Sequence, residues 1–449
     1  MVALPEIQKR MSSEPIVIIG AGWSGLAAAV KLTQQGHHVT LFESAKQVGG
    51  RARAVKFDDK EVDNGQHILI GGYTECLNLI KTVGIDIDAV FKRLPLLLTV
   101  IDKTPLILKA PALPAPLHLL YALVTAQGLT FKDRIAAIRF GMYLKKYNYQ
   151  LKKDISVSAL FETTRQTDIL IRQLWEPLCL STLNTSIKEA SANVFMRVFK
   201  DAFTNKRQDA DLLLPTLDLS RLFPNAAVKY IEQHGGKVHL KSRIENIEIS
   251  DNQISSVTAK IENNPALIVQ TSKLIIATAP QNLNKLIAEH SILKSITDNI
   301  KQFNYEPIVT VYLQYPEETQ LTSAMIGMSS TLSQWVFDRG AICQQDGLIS
   351  VVISASGKHM AMDDDTLAQT VHNEIATLIA NKPVLLKSFV IREKRATFAC
   401  TVNINDIRPK NTTDVKGLFL AGDYTDTHYP ATLEGAVRSG ITASQLILK

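Results

Sequence analysis

The sequence predicts an α/β fold: a parallel sheet assembled from separated stretches of chain, with an α+β region inserted between them. Three observations carry this. An apolar, β-branched run, Pro15-Ile16-Val17-Ile18-Ile19, leads directly into Gly20-Ala21-Gly22-Trp23-Ser24-Gly25. A second run, His38-Val39-Thr40-Leu41-Phe42, closes on Glu43. Toward the other end of the chain, Leu418-Phe419-Leu420-Ala421 runs into Gly422-Asp423 ahead of a helical stretch.

Each element has a physical reason. A short continuous β-branched run suits a strand buried on both faces of a parallel sheet. Leu26 to Leu32 has helical character and Gly36 ends it, so the first two strands and this helix make one βαβ unit. Gly20 permits the tight turn, Gly22 lets backbone approach a pyrophosphate, and Gly25 lets helix and strand pack closely. The helix N-terminus at Trp23-Ser24 faces the phosphate charge. Glu43, at the end of the second strand, can accept both hydroxyls of a ribose. A glycine-rich structural turn is the competing reading, but it would not require the strand, the helix and the acid together.

Two further segments favour FAD over NAD. Gly49-Gly50-Arg51 follows Glu43 closely, and glycines ahead of an arginine suit backbone and guanidinium contacts to phosphate. The Gly422-Asp423 turn can bring amides and a carboxylate to the ribityl and pyrophosphate region. Ala431, Thr432 and Leu433 lead into Glu434-Gly435-Ala436-Val437-Arg438, a terminal helix whose N-terminus can face the flavin.

At 449 residues the chain is expected to form two domains. The net charge of +6 is modest, and Lys and Arg are scattered along the chain, which speaks against nucleic acid as a partner. The four cysteines are far apart, so neither a disulfide framework nor a metal site is expected. Met1 to Pro15 lacks an apolar run, and no stretch has the uninterrupted apolar length, roughly 18 residues, of a membrane span. A cytoplasmic protein in peripheral contact with the inner face of a membrane is expected.

Taken together, these segments resemble the amine oxidase and phytoene desaturase superfamily of flavoproteins. The resemblance implies a discontinuous Rossmann-like FAD-binding domain formed by 1–95, 208–286 and 396–449, with a substrate-binding α+β domain formed by 96–207 and 287–395. Within the middle piece, a helix through Ala226-Tyr230, a turn at Gly235-Gly236 and strands at Val238-Leu240, Ile244-Ile249 and Leu274-Thr278 are expected, with Ile244 placed by the resemblance near the adenine. Narrower strings resemble the hydroxysqualene dehydroxylases, also described as squalene-associated FAD-dependent desaturases. They include Asp63-Asn64-Gly65-Gln66-His67, Leu174-Trp175-Glu176-Pro177, Leu183-Asn184-Thr185, Asp211-Leu212-Leu213-Leu214-Pro215 and Ala421-Gly422-Asp423-Tyr424-Thr425-Asp426.

That resemblance implies reductive removal of the hydroxyl of hydroxysqualene, a C30 allylic alcohol, to give squalene for hopanoid synthesis, with an unidentified reductant restoring the flavin. Loss of water from an allylic alcohol leaves a delocalised cation, and reduced flavin can donate hydride. The site then needs an acid, an apolar tunnel and exclusion of water. Asp63, His67, Glu176 and Asp426 are the candidate acids, against a turn-shaping role for Asp63, a core role for His67 and a capping or pairing role for Glu176. Tyr73, Trp175 and Tyr429 can shield a cation with their ring faces or simply pack.

Ala112 to Ala126 is apolar, too short to span a bilayer, and reads either as a segment entering one leaflet, with Leu119 on its inserting face, or as a buried lid. Lys145 to Lys153 mixes lysines with tyrosines, which suits an anionic surface or a solvated loop. Polyprenoid desaturation and amine oxidation are the rival reactions on this scaffold. A non-enzymatic isoprenoid carrier resembling the Rab GDP-dissociation inhibitors is the rival from another class, and the intact glycine motif, Glu43 and Gly422-Asp423 argue against it.

Overall fold

Five short strands lie side by side and parallel in the computed structural model, which describes residues 14–379 and 383–449. Their order across the sheet is Lys237–His239, Val39–Phe42, Ile16–Ile19, Leu274–Ile276 and Leu418–Leu420. Ile16–Ile19 is central, and the chain leaves it in one direction to Val39–Phe42 and returns on its other side at Leu274–Ile276. The crevice outside the carboxyl ends of such strands is where ligands meet this kind of sheet. Three of these strands, Ile16–Ile19, Val39–Phe42 and Leu274–Ile276, hold only buried residues, as their unbroken apolar runs require.

Helix Trp23–Gln34 packs along this sheet against the terminal helix Leu433–Leu446 and helix Pro224–Gln233. The close approach at Gly25 is obligatory: a Cβ there would lie 1.9 Å from the Gly20 carbonyl oxygen. The terminal helix is also tied in by a buried carboxylate. Glu434 accepts hydrogen bonds from the backbone amides of Glu75 at 3.2 Å and Cys76 at 2.9 Å, at the start of helix Thr74–Thr82, and pairs with Arg438 at 2.8 Å. Glu434→Ala would leave those amides and the guanidinium without their partner. It is expected to cost about 3 kcal/mol, read from the midpoint of urea unfolding.

The second large sheet has seven strands in the order Lys387–Phe398, Tyr305–Gln314, Leu348–Ser354, Trp335–Asp338, Met325–Met328, Leu97–Ile101 and Leu106–Lys109. Its pairs are antiparallel except where Met325–Met328 meets Leu97–Ile101. A helical layer of Leu117–Thr125, Phe131–Lys146, Val157–Thr163, the consecutive turns Asp168–Leu170, Ile171–Trp175 (π-helical) and Glu176–Leu183, and Ala192–Phe203 accompanies it. The strand expected at Ile244–Ile249 runs from Ser242 to Ser250 and belongs to a separate antiparallel meander with Gln253–Ile261 and Leu267–Gln270. Its first turn is made by Asp251 and Asn252, both at positive φ, the conformation a tight hairpin needs. Three of the four cysteines are buried, and all four are free. Among the described residues, no helix is long and apolar enough to cross a membrane. Most of the segment read for a signal peptide, residues 1–13, lies outside the described residues.

Candidate active site

A cavity of about 1340 Å³ opens at the carboxyl ends of the parallel strands and extends under the helical layer. Drug-sized ligands occupy pockets of about 300–1,000 Å³, so this one has room for a dinucleotide and a second ligand together.

Its polar end is built by the motif residues. Gly20, Gly22, Trp23, Ser24, Glu43, Gly50, Arg51, Ile244, Gly422, Asp423, Ala431, Thr432 and Leu433 all line it. Gly25 does not, because its place is in the contact between helix and strand. Gly22 is in extended backbone as the N-cap of its helix, and a Cβ added there would meet nothing within 4 Å. The space beside it is therefore cavity, and packing does not require glycine there. Glu43 is held in place by its neighbours: Oε2 accepts the amide of Ala21 and Oε1 the amide of Ala45, both at 2.8 Å. Thr432 caps the terminal helix by accepting the amide of Gly435 at 3.1 Å, so that this second helix N-terminus also meets the cavity.

Buried hydroxyls of Ser24 and Thr278 and the carbonyl oxygen of Gln281 have no protein partner, and all three residues line the cavity. Buried polar groups left unsatisfied are uncommon, and these three share the cavity with two helix N-termini and the Glu43 carboxylate. That donor and acceptor set suits an anionic pyrophosphate flanked by ribose hydroxyls. Thr278 and Gln281 had no role in the sequence reading, although their place just beyond Leu274–Ile276 was visible. They adjoin the central strand only once the sheet is assembled.

Arg51, expected to meet phosphate, lines the cavity and is tied to two parts of the chain. Its guanidinium donates to Asp423 Oδ2 and to the Ala396 carbonyl, each at 2.7 Å, joining the double-glycine segment to the C-terminal turn and to the end of strand Lys387–Phe398.

Away from the polar end the wall is apolar, with Leu98, Leu108, Leu119, Phe199, Met325 and Phe337 among its residues. Of the four candidate acids, only His67 lines the cavity. Its Nδ1 donates to the Gly65 carbonyl at 2.6 Å, which leaves Nε2 as the ring nitrogen available to a ligand. Burial holds the imidazole below its ordinary pKa.

The other three candidates are placed elsewhere, for distinct reasons. Asp63 lies behind the wall with 3% exposure; its Oδ1 accepts the Leu219 amide at 2.7 Å, and its own carbonyl accepts the Tyr312 hydroxyl at 2.7 Å. Burial pushes its carboxyl up to about 7, against the opposing pull of Arg339. Glu176 does not line the cavity, although its neighbours Trp175 and Pro177 do. Burial raises its carboxyl pKa against the opposing charge of Lys188. Asp426 faces the imidazole of His428 at 3.3 Å.

Of the aromatic candidates, Tyr73 and Trp175 reach the wall. Tyr429 is fully buried beneath the Arg438 guanidinium, 4.3 Å from its ring centre. Gln66, unassigned from sequence, also lines the cavity and accepts a hydrogen bond from buried Arg339 at 2.6 Å. No spacing rule could have paired two residues so far apart in the chain. Leu119 faces the cavity as well, so it is not on an outward, inserting face.

Two helix N-termini, a carboxylate and an apolar chamber share one cavity, and the chain is an FAD-dependent oxidoreductase. The family described as flavin containing amine oxidoreductase matches residues 23–448, and the chain belongs to it. It is 28% identical over 442 residues to a hydroxysqualene dehydroxylase of Zymomonas mobilis, covering 96% of this chain and 98% of that one. It is 26% identical to another of that name from Rhodopseudomonas palustris, over 97% and 99%. A 15-cis-phytoene desaturase of Glycine max is 24% identical over 97% of this chain and 79% of its own. Among solved structures, a cyclohexylamine oxidase from Brevibacterium oxydans superposes with a TM-score of 0.67 at 16% identity, over 97% and 98% of the two chains.

Proposed function

We propose that this flavoenzyme reductively removes the hydroxyl of hydroxysqualene, giving squalene for hopanoid synthesis. The supporting observation is a single cavity with a cofactor cradle at one end, an apolar chamber at the other and His67 in its wall. The near full-length similarity to proteins named hydroxysqualene dehydroxylase directs the choice of substrate.

When bound in reduced form, FAD supplies hydride. The chain's own residues do the rest. Gly22, Ser24 and the helix N-terminus hold the pyrophosphate, Glu43 the ribose, and Asp423, with Thr432 at its helix start, the remainder of the cofactor. His67, as the imidazolium, gives the Nε2 proton to the substrate hydroxyl, which leaves as water. Burial makes that imidazolium a stronger acid than free histidine. The rings of Tyr73 and Trp175 shield the allylic cation, and the apolar wall keeps out water that would recapture it. Asp63 acts through position, anchoring the turn that carries Asn64 to His67. One hydride and one proton are consumed for each hydroxyl lost as water, so an external reductant must restore the flavin each cycle.

The FAD-binding part is assigned to 1–95, 208–286 and 396–449 and the substrate part to 96–207 and 287–395, with the cytoplasmic face of a membrane as the place of work. Anaerobic product analysis tests the reaction. Pre-reduced enzyme is expected to convert hydroxysqualene to squalene in one turnover, whereas oxidised enzyme leaves it untouched. Conversion by the oxidised enzyme without a reductant would refute the reading, and dehydrogenation of phytoene in place of this reaction would make the chain a desaturase.

A further inference from the structure

We propose that the paired helices Leu117–Thr125 and Phe131–Lys146 form a docking surface for an anionic bilayer, with the first helix standing between the lipid and the cavity. Of fifteen large hydrophobic side chains exposed among the described residues, nine fall between Leu113 and Tyr147, so apolar exposure is concentrated on one hairpin. Leu117, Leu120, Tyr121 and Val124 follow the i, i+3, i+4, i+7 spacing and form one outward stripe. The opposite face of the same helix is interior: His118 and Ala122 are fully buried, and Leu119 and Leu123 wall the cavity. A soluble surface helix keeps its apolar residues inward; this one is apolar on both faces, so its outer face requires a partner.

Charge identifies that partner. Residues 113–153 hold seven basic side chains and one acidic one, and their net of +6 equals the net charge of the whole chain. The one acid, Asp133, is buried, holding Thr130 in a capping box and accepting the Thr167 hydroxyl at 2.6 Å. It therefore offers no negative charge at the surface. Lys145, Lys146, Lys152 and Lys153 are exposed at the far end of the second helix. A surface groove of about 370 Å³ lies on that helix, where Lys132, Arg139 and Arg165 sit beside Phe131 and Ile135. Cations next to exposed apolar side chains match a phospholipid headgroup above its acyl chains. A substrate as apolar as the chamber then has one helix to pass, and no water to cross, between leaflet and cavity.

The surface does not depend on the identity of the substrate, so its test is separate from the test of the reaction. Purified FAD-bound protein is sedimented with phosphatidylcholine vesicles, with or without about 30% phosphatidylglycerol. Wild type is expected to pellet with the anionic vesicles and to be released by salt. Leu120→Asp/Val124→Asp and Lys145→Glu/Lys146→Glu, checked for retained flavin absorbance, are each expected to weaken binding roughly tenfold or more. Wild type that stays in the supernatant at low salt would overturn the proposal, as would flavin-loaded variants that bind as well as wild type. A concentration-dependent dimer abolished by Leu120→Asp/Val124→Asp, without vesicle binding, would assign the face to a second copy of the chain instead.

Discussion

Gly22→Val is expected to yield a folded protein that purifies without flavin. A Cβ at this position meets no protein atom within 4 Å, so the added isopropyl group extends into the cavity where the pyrophosphate must run. Gly25 behaves in the opposite way: even alanine places its Cβ 1.9 Å from the Gly20 carbonyl oxygen, and loss of the fold is expected. Circular dichroism and the ratio of flavin to protein absorbance separate the two outcomes. Glu43→Ala removes a charged acceptor while leaving the space open, so FAD affinity should fall by about tenfold to a hundredfold, the value of hydrogen bonds to a charged group. Flavin retained by Gly22→Val at the wild-type ratio would remove the cofactor from this crevice.

His67→Gln is expected to slow hydroxyl loss by roughly a hundredfold or more with FAD still bound. The pH profile gives the sign. Burial lowers the imidazole pKa below its usual 6.5, and only the protonated form can act as the acid. The single-turnover rate in pre-reduced enzyme should therefore be greatest at acid pH and fall as pH rises through that lowered pKa. In His67→Gln this limb should vanish. Asp63→Asn is the control: an asparagine carbonyl can accept the same amide hydrogen bond from Leu219, so the rate should stay within a few-fold of wild type. A rate that rises with pH in the wild type, or a collapse in Asp63→Asn with His67→Gln unaffected, would transfer the role away from His67.

Much of the candidate cofactor site, as a set of residues sharing one cavity, was legible in the sequence because its elements are local. A buried parallel strand, a glycine turn, a helix N-terminus and an acid at the end of the next strand occupy a single βαβ unit, where spacing along the chain dictates spacing in space. The C-terminal Gly422-Asp423 turn was legible for the same reason, since a strand, a turn and a helix start follow one another directly. The apolar character of Ala112 to Ala126 was also plain, although the orientation of Leu119 was not: composition shows that a helix is apolar, and only its packing shows which side is covered.

The acid could not be chosen this way. Asp63 and His67 are four residues apart in one polar string, yet the backbone turn sends one behind the cavity wall and the other into it. Glu176 is one residue from Trp175 and Pro177, which both reach the cavity, and it does not. The partner of Arg51 could not be read either: the fold brings Asp423, from the far end of the chain, to 2.7 Å. Sequence determined the cofactor, the class of scaffold and the polar strings from which a site could be made. Tertiary structure decided which members of those strings face the ligand, because facing is set by contacts between residues hundreds of positions apart, and one residue of rotation is enough to exchange an acid for its neighbour.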